Sequence, residues 1–340
     1  MIETTPLIQA PQRFREFAKR SALVGVIVWV LLVLAVTTDS HETELIHRIA
    51  FFAVLVIVPL ALSLAPGEQT SGLGLYRVAV FLQPVAAVIA IASFFVEKGP
   101  ASAGLAAVWF AFTGIVALFG VTRLLTRGIY PLSETSVDAG LLYLPIGGAW
   151  LTVYRFGIQL FGYGETIILL TVIHFHFAGF AAPILAGMTG RFLARSKTGP
   201  GKMFPLIVVA LIAAMPLVAA GITFSPWLGL AGALLLSTGL VLLAVLTISG
   251  VLPVIASPGA RVMLLLGALS SCVAMVLACL YSYSLVAHVL ILRIPTMAVT
   301  HGLLNAFGFA ACSLVAWSII VTKEPSLTLP PRSRVAAPPR

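Results

Sequence analysis

The segment GALLLSTGLVLLAVLTISG (232–250) decides the fold, because it runs for nineteen residues without a charge. A helix rises ~1.5 Å per residue and needs ~20 such residues to cross a hydrocarbon core ~30 Å thick. A membrane barrel strand would instead alternate apolar and polar residues. This segment does not alternate, so a spanning helix is the predicted element. Inside a helix every backbone N–H and C=O finds a partner without water.

The rest of the chain repeats the pattern. Its 340 residues are 60% hydrophobic and 9% charged, with a mean hydropathy of +1.10. A soluble chain averages ~25% charged residues. The expected class is an all-α, polytopic integral membrane protein with about ten transmembrane helices. The expected spans are 21–38, 46–64, 77–96, 101–122, 137–156, 166–190, 204–223, 227–251, 261–286 and 294–321. The fifth carries Asp138, Pro145 and Gly147–Gly148, and Glu134 and Asp138 read as a solvated helix start. Between the ninth and tenth, SLVAHVLILRIP (284–295) reads as loop, re-entrant turn or helix. Residues 1–20 are expected to form an N-terminal cytoplasmic segment, 21–321 the helical domain and 322–340 a disordered, proline-rich cytoplasmic tail.

Charge predicts orientation. With the N-terminus inside, sixteen of the 20 Lys and Arg fall on the inner side. Only Arg48, Lys98, Arg155 and Arg293 fall outside. Short loops rich in Lys and Arg stay cytoplasmic, so both termini are expected inside (N-in/C-in). The net charge of +9 then reports topology, and the expected partners are the lipid bilayer and a lipophilic small molecule, with no nucleic acid. The first apolar run lacks a convincing cleavage site and is kept as a span. Cys272, Cys279 and Cys312 fall inside expected helices, with neither a disulfide framework nor a zinc spacing.

Against this background the histidines stand out. TVIHFHFAGFAAPILAGMTG (171–190) places His174 and His176 in the sixth span, and the tenth carries His301 and Asn305. Counting the helical rise from Glu165, His174 lies roughly 13 Å down; from Pro295, His301 lies about 9 Å and Asn305 about 15 Å down. These depths overlap, so the two spans can share one polar layer. His174 and His176 point about 200° apart on a regular helix. Both cannot ligate one metal, and no i, i+4 histidine pair is present, so no metal site is assigned and any cofactor is left open. An imidazole in a span is either an interhelical hydrogen bond worth ~1 kcal/mol or a functional group. Arg155 and Arg293 read as binders of an anionic head group or as interface anchors. Glu165 and Glu44 read as partners of a histidine or as solvated loop carboxylates. Phe177 and Phe180 read as packing or as substrate contacts.

HFHFAGF (174–180), followed by a proline and a glycine, and THGLLNAFGF (300–309) resemble the YndJ-like family of bacterial polytopic membrane proteins. The proline-bearing second span, LVIVPLALSLAPG (55–67), adds to the likeness. The resemblance implies a multi-pass protein of the bacterial cell membrane. It also makes His174, His176, Gly179, Phe180, His301, Gly302, Asn305 and Gly308 the motif positions, and it carries little mechanism.

The expected function is a membrane-embedded enzyme. In it His174, His176, His301 and Asn305 perform acid–base chemistry, of an isomerisation or cyclisation type, on a lipophilic small molecule. Arg155, Arg293, Phe177, Phe180 and Glu165 are the expected substrate contacts. The alternatives are a proton-coupled transporter or exporter, supported by a weak echo among histidine-bearing spans two, six and ten, and a haem- or metal-binding redox protein.

Overall fold

Apolar runs of this length fold as helices, and a computed structural model describes residues 6–35, 41–67, 71–195, 199 and 201–323. Among the described residues ten helices are long and apolar enough to cross a membrane. They are Gln12–Ala35, Thr43–Leu64, Leu73–Phe95, Pro100–Arg127, Leu132–Phe156, Glu165–Leu193, Phe204–Phe224, Pro226–Val251, Pro258–Ala287 and Ile294–Lys323, named here spans one to ten. Each overlaps its expected counterpart. The first belongs to a longer helix, Pro6–Ala35, so much of the expected N-terminal segment is helical. Residues 324–340 of the expected tail lie outside the described residues. The SLVAHVLILRIP segment divides, with helix to Ala287 and again from Ile294.

Spans two and six form the centre. Buried residues make up 83% and 72% of their apolar windows, against 17% in span one. The other eight spans surround them. Tyr143 of span five donates to the Ile212 carbonyl of span seven at 2.6 Å, and Ser237 of span eight lies 3.2 Å from the Cys279 sulfur of span nine. Span ten closes the circuit, with Phe307 set 5.6 Å from Trp29 of span one and 4.6 Å from Phe52 of span two. Lys19 donates to Thr322 at 2.6 Å, so the starts of span one and the end of span ten share one end of the molecule, here called the basic end.

Proline shapes the central helices. Pro59, Pro183 and Pro253 each stand two residues beyond a π-helical segment, Ala53–Ile57, Phe175–Ala181 and Thr247–Val251. A helical proline cannot donate to the carbonyl four residues earlier, and its ring crowds that carbonyl. For Pro59 and Pro183 those carbonyls belong to residues 55 and 179, inside the segments, where a wider turn relieves the crowding; Pro253 stands in the turn that follows span eight. Neighbouring spans bond the backbone close by: Gln83 donates to the Val54 carbonyl at 3.0 Å and Ser136 to that of Pro183 at 2.7 Å. Span ten has two π segments, Ala298–Gly302 and Leu304–Ala311. There the Asn305 side chain donates to the His301 carbonyl at 2.9 Å.

At the basic end one expectation fails. Glu134 and Asp138 are no solvated helix start, since Asp138 is 0% exposed. Arg123, itself 1% exposed, donates through Nε to Asp138 at 2.6 Å and through Nη2 to Glu134 at 2.6 Å. Arg127 completes Asp138 at 2.7 Å, and Arg191 grips Glu134 with two donors at 2.6 and 2.7 Å. Arg123 and Arg191 also reach the terminal carbonyls of span two at Leu64 and Ala65. A carboxylate in this setting is too costly to leave unpaired, so the pairs fasten spans two, four, five and six together.

Candidate functional site: the histidines of spans six and ten

The structure brings His174 and His301 face to face, with ring centroids 6.3 Å apart and planes 26° from parallel. It sends His176 the other way. Phe175–Ala181 is π-helical, and His176 enters the core between spans four and five at 0% exposure. Its Nδ1 bonds the Val172 carbonyl at 2.8 Å, and Trp109 of span four donates to its Nε2 at 3.0 Å. Gly147 is the complement: a Cβ there would lie 2.7 Å from the His176 Nδ1. The expected shared duty of His174 and His176 is therefore corrected. Both nitrogens of His176 are committed to holding helices together.

His301 is held nearly as firmly. Its Nδ1 lies 2.9 Å from the Ala274 carbonyl of span nine, and the Asn305 amide reaches its Nε2 at 3.2 Å. A carbonyl only accepts, so Nδ1 carries the proton and Nε2 accepts. The same logic fixes His174, whose Nδ1 donates to the Leu170 carbonyl at 2.7 Å. Its Nε2 lone pair has no hydrogen-bond partner among the described residues. The His174 side chain is exposed, at an opening here called the histidine crevice. His301 and Asn305 are half-buried on the same crevice. The Asn305 carboxamide presents its NH2 to His301, which leaves its oxygen as an acceptor.

The other expected contacts lie apart from this pair. Phe177 and Phe180 are core residues, 5% and 0% exposed, and do not line the crevice. Glu165 pairs with Lys98 at 2.5 Å. Arg155 is 4% exposed, donates to the Val96 carbonyl at 2.6 Å and lies 4.9 Å over the Phe94 ring. Beside it, Tyr154 bonds the Nε2 of His47 at 2.7 Å. Glu44 is buried against Arg48, not solvated. Arg293 lies elsewhere, on an open cavity of about 590 Å³ at the end opposite the basic one, with Tyr281, Ser284 and His288 among its walls. Toward the basic end, a cavity of about 20 Å³ between Leu185, Leu264, Phe309 and Trp317 is water-sized. Among the described residues no group of three or more His, Cys, Asp or Glu side chains is placed to hold a metal.

Two features escaped the sequence reading. Trp109 as the partner of His176 has no local signal. The ion cluster had one: Arg123 and Arg127 stand four apart, as do Glu134 and Asp138, on helices joined by a short turn, so each pair shares a helix face.

Comparison with known proteins points to a membrane protein. A membrane protein named YndJ from Bacillus subtilis (strain 168), itself uncharacterized, is 29% identical over 312 residues, covering 88% of this chain and 53% of that protein. The chain thus spans about half the length of that curated relative. No solved structure matches. The model of the family described as YndJ-like protein matches residues 48–309, which include both histidine motifs; the chain belongs to the YndJ-like family.

Proposed function

We propose that this chain is a membrane-embedded enzyme in which His174 acts as general base on a lipophilic small molecule held against His301 and Asn305. It resides in the bacterial cell membrane, with its basic end in the cytoplasm. One observation carries the reading: of the three intramembrane imidazoles, His174 alone has an Nε2 with no partner among the described residues, and its side chain is exposed. A histidine whose Nδ1–H is tied to a backbone carbonyl has a fixed tautomer and ring orientation. Its Nε2 takes a proton from one carbon of the substrate and returns it to another, an isomerisation or cyclisation that consumes no co-reactant. His301, stacked alongside, is a positioning residue, and the Asn305 oxygen accepts a hydrogen bond from a substrate hydroxyl or amine. Arg293 on the larger cavity suits an anionic head group.

A proton-coupled transporter is the second reading. It draws on the proline-linked wide turns in both central spans, where a helix can flex. Less in its favour is the cavity toward the basic end between Leu185 and Trp317, which is only water-sized.

The test uses purified protein with total bacterial lipid extract in D2O buffer. Wild type should place deuterium in a lipophilic product, and His174→Ala should abolish the incorporation. Labelling equal in both proteins, or none in either, overturns the enzyme. Uptake of unaltered substrate into proteoliposomes would favour the transporter.

A further inference from the structure

The ion cluster at the basic end contains a fourth guanidinium. Glu134 and Asp138 are saturated by Arg123, Arg127 and Arg191, and among the described residues neither carboxylate pairs with Arg15 of span one. Arg15 donates to the Pro66 carbonyl, yet its Nε is buried without a partner. A second orphan adjoins it. Tyr76 of span three is 0% exposed and its hydroxyl is also unpartnered, close enough to Arg15 for their charges to interact. Phe14 beside Arg15 packs edge-on to Tyr76 at 6.5 Å, and Tyr76 lies 5.3 Å from Phe119. The aromatic surround therefore fixes the phenol in place.

Among the described residues, four guanidiniums face two carboxylates. The carbonyls ending span two offset part of the excess, since a helix C-terminus carries roughly half a negative charge. More than one positive charge is left uncompensated in a poorly hydrated place, which is costly. Both orphan groups can donate, the arginine Nε–H and the phenol O–H, so they complement an anion and not a cation. Arg15 is only half-buried, and Arg13 and Arg77 are exposed near it, with Arg77 over the Phe14 ring at 5.8 Å. The two donors are themselves enclosed, while the surface beside them is positive.

We infer that Arg15 and Tyr76 form an oxyanion site between spans one and three, taking a phosphate group presented by an anionic lipid of the adjoining leaflet or as the free ion. Basic pockets between spanning helices are suited to lipid head groups. The site is separate from the histidine crevice and stands whether or not the catalytic reading does.

The experiment titrates delipidated, purified full-length chain in mild detergent with dioleoylphosphatidylglycerol, dioleoylphosphatidylcholine or inorganic phosphate, following the unfolding midpoint and bound mass. Wild type should be stabilised by the anionic lipid well beyond the zwitterionic one. Stabilisation by inorganic phosphate as well would identify the free ion as a ligand. Arg15→Gln should weaken the response by about tenfold or more, the loss expected for a charged hydrogen bond. Tyr76→Phe should weaken it by a smaller factor. It keeps the ring packing, so it carries the test if Arg15→Gln does not fold. No response to the anionic lipid or phosphate in wild type, or an equal response in wild type and the variants, overturns the site.

Discussion

His174, His176 and His301 are the same side chain in three different states, because each nitrogen's role is set by the donors and acceptors around it. In all three, Nδ1 gives its proton to a backbone carbonyl. What remains is Nε2, which is taken by Trp109 in His176, by Asn305 in His301 and by no described residue in His174. Diethyl pyrocarbonate attacks a free imidazole nitrogen. Peptide mapping after brief treatment of folded protein should find His174 modified at least about tenfold faster than His176, consistent with ~1 kcal/mol or more protecting a hydrogen-bonded nitrogen. Equal labelling would remove the distinction on which the proposed base rests. Trp109→Phe should lower stability by about 1–3 kcal/mol, since it strands a buried acceptor. Thermal unfolding of the purified variant measures this, and it should leave D2O-dependent labelling intact.

At the scale of the helix, small residues set how closely the central spans approach. A Cβ on Gly140 of span five would fall 2.7 Å from the Phe180 carbonyl of span six, and backbone cannot swing aside. Gly140→Ala should therefore cost about 1–3 kcal/mol through overpacking. Gly104 of span four has nothing within 4 Å of the same position. Gly104→Ala should be neutral within about 0.5 kcal/mol or stabilising, since alanine is the better helix former. A matched pair of unfolding curves compares them, and equal losses would show that the span five–span six contact is looser than described. The proline-linked π turns belong to the same scale. They rotate the residues before the proline out of a regular helical register, and in span six that helps separate the surroundings of His174 from those of His176.

For the molecule as a whole, the ion cluster at the basic end bears the largest electrostatic load. Asp138→Asn should destabilise by about 3–5 kcal/mol, the usual result of removing one partner from a buried pair, and should do so without touching the histidine crevice. A loss below about 1 kcal/mol would mean that water reaches the cluster. Orientation is a second prediction at this scale. A reporter active only in the cytoplasm should work when fused after residue 340 and fail when placed in the 157–164 connection. The reverse pattern would invert the assignment of the two ends.

Ten spans, their approximate limits and the even parity that brings both described termini to one end were legible in the residues alone. Hydrocarbon thickness and backbone hydrogen bonding leave a long uncharged segment few alternatives. So was the shared depth of His174, His301 and Asn305, which follows from helical rise. Which histidine is free was not legible, because that depends on Trp109, Ala274 and Leu170 arriving at particular nitrogens, and only Leu170 is a near neighbour in sequence. The burial of Asp138 was likewise hidden, since position near a helix start says nothing of which helices close over it. Local sequence thus determines what can enter a membrane and how deep each side chain lies; only the packing of helices around one another decides which polar groups satisfy each other and which remain available, because a hydrogen bond is made by proximity in space and hydropathy carries no record of it.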